Sequence, residues 1–161
     1  MAHDIELRPQ HARLAPGAPI RGRALKCSMA RTLAFSGGPL DEPGWPQRNL
    51  HTDIDKALEA GLPGIIVSGT QFEGLLLSHL VGLFGEHWYR NGRLEAKFVK
   101  SVLVDETVAP LATVRDIQLA GRQAEFRLDV ACENQDGEKA LVGQAQVSVP
   151  AAEFLSLSGD A

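Results

Sequence analysis

The sequence predicts an α+β domain in which a curved antiparallel sheet wraps around one long buried helix. Three observations carry this. From about Thr70 to Phe84, one helical face bears Phe72, Leu75, Leu76, His79, Leu80 and Leu83, and Leu77 and Val81 extend the apolar surface almost all round. A helix apolar on most sides is buried on most sides. Beyond it, Ala124, Phe126, Leu128, Val130 and Cys132 alternate with polar residues, which marks a half-buried strand. Asp136-Gly137 then supplies a hairpin turn, and long strands joined by short turns pair antiparallel.

The elements follow in order. Residues 1–19 carry prolines at 9, 16 and 19 and read as an extended lead-in. Ile20 to Cys27 reads as a short strand. Ser28 caps a short helix from Met29 to Phe35, which Ser36-Gly37-Gly38-Pro39 ends. Residues 37–48 are rich in glycine and proline and hold Trp45; such a loop follows the surface or a pocket rim. Thr52 or Asp53 caps a helix from Ile54 to Ala60, with Thr52 and Asp55 at capping-box spacing and Gly61 and Pro63 as the stop. Ile65-Ile66-Val67 re-extends the chain into the long helix.

Four strands are expected after that helix: Leu94 to Val104, Thr107 to Ile117, the alternating run through Cys132, and Leu141 to Val149. Pro110 hints at a bulge or an edge in the second. A sheet of this kind curling around one helix is the hotdog architecture. One such unit leaves an edge strand uncovered, which favours a homodimer or higher homo-oligomer with a continuous sheet.

Composition bounds the function. A chain of 161 residues suits a single domain, 1–161. The hydrophobic fraction of 44% and charged fraction of 22% are those of an ordinary soluble protein. A net charge of −4, with scattered lysines and arginines, argues against nucleic-acid binding. The one basic cluster, Arg90, Arg93, Lys97 and Lys100, reads as a solvated strand edge, the alternative being a meeting point for a phosphate-bearing ligand. Cys27 and Cys132 form neither a disulfide framework nor a metal-ligand spacing, so no metal is expected, and Cys132 falls on a core face. There is no basic n-region before an apolar run, and Glu73, Ser78 and His79 interrupt the longest apolar stretch. No membrane span is expected, and the protein reads as cytoplasmic.

The chemistry concentrates in Arg48-Asn49-Leu50-His51-Thr52-Asp53 and, eighteen residues after the histidine, Val67-Ser68-Gly69-Thr70. An imidazole beside one helix start moves protons near neutral pH. The Gly69 N–H at the start of a buried helix lies at the positive end of its dipole, and the missing Cβ lets a carbonyl approach. Structural alternatives stand beside both: a rim histidine, and a tight strand-to-helix turn.

These motifs resemble those of the MaoC-like acyl dehydratases and R-specific enoyl-CoA hydratases, over roughly residues 25–150. His51-Thr52-Asp53 looks like their His-x-Asp. Pro63-Gly64-Ile65-Ile66-Val67-Ser68-Gly69 looks like their apolar run into the hotdog helix. Lys97-Phe98-Val99 to Asp105-Glu106-Thr107 and Val142-Gly143-Gln144-Ala145-Gln146-Val147 look like two of their strands. The family's Asp-x-Asn-Pro-x-His is altered: Pro46, Arg48 and Asn49 stand at its Asp, Asn and Pro positions, and Lys100-Ser101 replaces Pro-Val.

The resemblance implies hydration or dehydration of an acyl thioester, 2-enoyl-CoA or 3-hydroxyacyl-CoA, with no cofactor beyond the CoA or acyl-carrier thioester substrate. It makes His51 the general acid/base and the Gly69 N–H the oxyanion donor, with Ser68, Thr70 and Trp45 at the substrate. Glu73 is the first substitute for the missing acid, although Thr70-x-x-Glu73 is also a capping box. Asp41 and Glu42 are more distant substitutes and read first as solvated loop charges. Asn49 is placed to orient water but has no proton to take. Asp53 reads as a cap and His79 as a hydrogen-bonded core residue. Two rival functions remain: a hotdog thioesterase using Glu73, and a non-catalytic acyl or small-ligand binding module.

Overall fold

The computed structural model describes residues 14–17 and 19–155. In chain order the elements are β1 (Ile20–Arg21), β2 (Leu25–Lys26), α1 (Met29–Ser36), α2 (Ile54–Glu59), α3 (Gly69–Phe84), α4 (Glu86–Asn91), β3 (Arg93–Phe98), β4 (Thr107–Ala120), β5 (Gln123–Asn134), β6 (Lys139–Pro150) and α5 (Ala151–Leu155). The strands form one antiparallel sheet in the order β1-β4-β5-β6-β3, with β2 also on β4. Helix α3 lies against β4, β5 and β6. Its Phe72, Leu76, Leu80, Leu83 and Phe84 share one core with Val114, Phe126, Leu128, Val147 and Val149 of the sheet. The predicted wrap of sheet around helix is the observed one.

Several expectations change in detail. The strand expected at 20–27 is split into β1 and β2. At the break, a Cβ on Gly22 would meet the His79 ring and Pro110 at 2.7 Å, so only glycine fits. Pro110 causes no bulge: it pairs in register with Cys132, and the bulge falls between Val114 and Asp116. The Pro110 carbonyl accepts from Gly22 N–H at 2.8 Å. Proline has no N–H to return to Gly22, so the ladder loses its second bond at this pair, where the edge strand breaks.

The strand expected over 94–104 ends at Phe98. Val99 N–H still reaches Ala140 O of β6, and from Val102 the chain pairs with the segment before α3: Val67 N–H donates to Val102 O at 2.8 Å, and Val104 N–H to Ile65 O at 3.0 Å. One continuous run, expected as a single strand, thus serves two partners. Helices α4 and α5 were not anticipated. The lead-in is more than a lead-in at its end: Leu14 is buried in the core and Gly17 N–H reaches Val114 O. Residues 1–13 and 18 lie outside the described part.

Caps also differ. Ser28 caps α1 through Arg31 N–H as expected. Asp53 is the N-cap of α2, accepting from Lys56 N–H at 3.2 Å. Thr52 forms no capping box; its hydroxyl donates to Gln47 O and accepts from Asn49 N–H. Helix α3 begins at Gly69 with Ser68 as N-cap, so Thr70 and Glu73 are out of phase for a capping box. Both cysteines are free and buried. Cys132 Sγ donates to Phe72 O at 3.3 Å, and burial pushes its thiol up to about 12. Among the described residues no helix is long and apolar enough to cross a membrane, and no group of His, Cys, Asp and Glu is arranged to hold a metal.

Candidate active site

The loop between α1 and α2 is built to hold His51. Asn49 Oδ1 accepts the His51 N–H at 2.8 Å, while Asn49 Nδ2 donates to Ser36 O and Gln47 O at 2.9 and 3.3 Å. The amide is therefore committed to backbone, and Asn49 positions His51 instead of facing water as expected. On the far side, His51 Nδ1 lies 2.8 Å from Ile66 O. A carbonyl only accepts, so a neutral imidazole puts its proton on Nδ1 and presents Nε2 as the free base.

Ile66 O belongs to the segment held by Val102, and that segment leads directly into α3. The histidine and the helix start are thus tied together by one short piece of chain. His51, Ser68, Gly69 and Thr70 line a single cleft of ≈ 480 Å³, whose apolar walls include Ile66, Phe72, Phe98 and Val102. Ser68 makes no side-chain bond to a backbone N–H of α3; its hydroxyl engages the Thr70 hydroxyl instead, at 2.8 Å. The Gly69 and Thr70 N–H groups are left without an N-cap acceptor at the positive end of a 16-residue helix.

The other expected site residues lie apart. Glu73 sits further along α3 and is not among the cleft's lining residues. Trp45 also lies outside it, packed where a Cβ on Gly37 would meet Nε1 at 2.8 Å. Asp41 and Glu42 are exposed, and Glu42 accepts from Gln47 Nε2. Arg48 forks onto Asp53 and reaches Asp55. The hydrogen bond from that guanidinium is the main reason the Asp53 carboxyl is lowered to about 2. His79 bonds Ile20 O at 3.1 Å on the opposite flank of α3, and burial lowers its pKa. It is a structural histidine, as expected.

Among the described residues no carboxylate lines the cleft of the single chain. Its one formal charge is Lys100, which pairs with Glu138 and holds that carboxyl below its usual range. Sequence reasoning passed over three contributors. The Ile66 carbonyl carries no side-chain signal. Phe98 stands in the sequence only as part of the Lys97-Phe98-Val99 strand motif. Lys100 stands in the basic cluster and, with Ser101, as a departure from Pro-Val, and neither reading puts it at this cleft.

No protein-family model matches the sequence, and no curated relative matches it. Solved structures do. A MaoC-like dehydratase from Rhodospirillum rubrum aligns with a TM-score of 0.68 at 20% identity, covering 86% of this chain and 94% of that one. An (R)-hydratase from A. caviae, involved in PHA biosynthesis, aligns with a TM-score of 0.59 at 24% identity over 85% and 98%. The ChsH1-ChsH2 complex from Mycobacterium tuberculosis aligns with a TM-score of 0.60 at 16% identity over 84% and 97%. The chain has the hotdog fold that MaoC-like dehydratases and R-hydratases share.

Proposed function

We propose that the protein is an acyl-thioester lyase that hydrates 2-enoyl thioesters and dehydrates 3-hydroxyacyl thioesters. The carrier is CoA or an acyl carrier, no further cofactor takes part, and the protein works in the cytoplasm as a homodimer. One observation carries the reading: an imidazole with Nδ1 anchored on Ile66 O shares a cleft with the uncapped start of α3. The names of the solved structures of this fold support the same class.

With no carboxylate among the described residues lining the cleft, one base serves both proton transfers. His51 Nε2 takes a proton from water as the water oxygen bonds to C3. The C2–C3 π electrons move towards the thioester, whose oxygen takes the negative charge and is held by the Gly69 and Thr70 N–H groups. The imidazolium then returns its proton to C2, the enolate collapses to the carbonyl, and the neutral histidine is restored. Dehydration is the same path reversed.

The test is His51→Ala, assayed by loss of enoyl-thioester absorbance. General acid/base catalysis is worth about 10²–10⁴-fold, so kcat/KM falls by that order while the thermal midpoint holds. Hydration by this variant at the wild-type rate overturns the assignment. The missing carboxylate also favours a second reading, a non-catalytic acyl-binding module, which predicts acyl-CoA binding without turnover. The thioesterase reading loses support, because Glu73 lies off the cleft; thiol release abolished by Glu73→Gln would restore it.

A further inference from the structure

We infer that Phe98 sets the size of the acyl group that reaches Gly69, and that the cleft selects short-chain acyl thioesters. This rests on the thioester reading of the cleft and adds a specificity residue to it.

Phe98 is the last residue of β3, and its ring lies directly on the first turn of α3. A Cβ built on Gly69 would meet three consecutive ring carbons, Cε1 at 2.7 Å and Cδ1 and Cζ at 2.9 Å. The absent Cβ is therefore occupied by the aromatic ring, and any carbonyl approaching the Gly69 N–H does so beside it. The same ring stands edge-on to Phe72, one turn along α3, with centroids 5.5 Å apart and planes at 83°. Behind this pair the interior is closed. Phe72, Leu76 and Val102 are 2%, 0% and 1% exposed and belong to the packed core. An acyl tail leaving a carbonyl at Gly69 meets filled space on the helix side and Phe98 on the strand side.

Phe98 itself is 52% exposed and outside the buried core, and Val99 beside it is 49% exposed. Truncating Phe98 therefore widens the cleft without hollowing the core. A few methylenes in an apolar site are commonly worth about tenfold or more in discrimination.

The experiment measures kcat/KM for but-2-enoyl-CoA and oct-2-enoyl-CoA, alongside Kd for the unreactive butanoyl-CoA and octanoyl-CoA. Wild type is expected to prefer the four-carbon thioester by about tenfold. Phe98→Ala moves the ratio towards eight carbons by about the same factor, and Phe98→Trp moves it the other way. Phe98→Leu serves if the alanine variant fails to fold. A ratio unchanged within twofold in a folded variant, or a wild type that prefers eight carbons, overturns the inference. Failure of the lyase reading looks different. If no thioester turns over but the Kd ratio shifts as described, Phe98 is the size filter of a binding cleft. If wild type neither turns over nor binds any of the four, both readings fall.

Discussion

Asn49 and Gly69 act through backbone at the residue scale, and each is open to a direct test. All the hydrogen bonds of the Asn49 amide go to Ser36, Gln47 and His51. Asn49→Ala removes the side-chain partner of the part-buried Ser36 O and His51 N–H and is expected to cost about 1–3 kcal/mol, read by urea unfolding, with a fall in kcat as His51 loses its anchor. At Gly69, an alanine keeps the N–H but collides with Phe98. Gly69→Ala alone is therefore expected to lower the thermal midpoint, and Phe98→Ala added to it to recover much of the loss. Additive losses would show that the ring is not what demands glycine. That His51 and Gly69 share a cleft was legible in the sequence, because residue type and spacing point to it. The roles of Asn49 and Phe98 were not, since both depend on which carbonyl or Cα happens to face the side chain.

At the scale of the element, the start of α2 replaces one interaction with another. Where the resembled motif has Asn, this chain has Arg48, and its guanidinium holds the capping carboxylate of Asp53. The folded Asp53 pKa of about 2 lies below the unfolded value near 3.9. A depressed carboxyl contributes stability above the unfolded pKa, and that stability is lost as pH falls through the folded one. Asp53→Asn should therefore be less stable than wild type at neutral pH, with the gap closing between about pH 4 and pH 2. Acid titrations of both proteins, followed by circular dichroism, check this; a gap constant across that window would rule the pair out. The helix itself was legible from its cap and its glycine stop. The fate of residues 99–104 was not, because pairing with Ile65–Val67 is a long-range choice that local alternation does not encode.

Over the whole molecule, one buried helix and a period-two pattern were enough to predict the architecture, since few packings bury both. The short helices α4 and α5 escaped notice because neither is long enough to show a periodicity. Both cysteines lie within the core, and the Cys132 thiol is pushed to about 12 by burial. A thiol reagent at pH 8 is expected to leave the folded protein untouched and to count two thiols after denaturation. Rapid labelling of the native protein would contradict this packing.

The two sides of the sheet are unlike. On the β1–β2 side the outer strand is only two short pieces, broken at Gly22 opposite a proline, and Gly17 lies over Val114 as a further cover. On the β3 side, six residues in register with β6 end the sheet. The first side is blunt, and among the described residues no strand pairs with the second, which leaves it bare. A subunit with one bare side has a valence of one: joined to a second copy through it, the pair has nothing left to offer a third. The proposed homodimer, if joined through this edge, would close at two instead of growing into a ribbon.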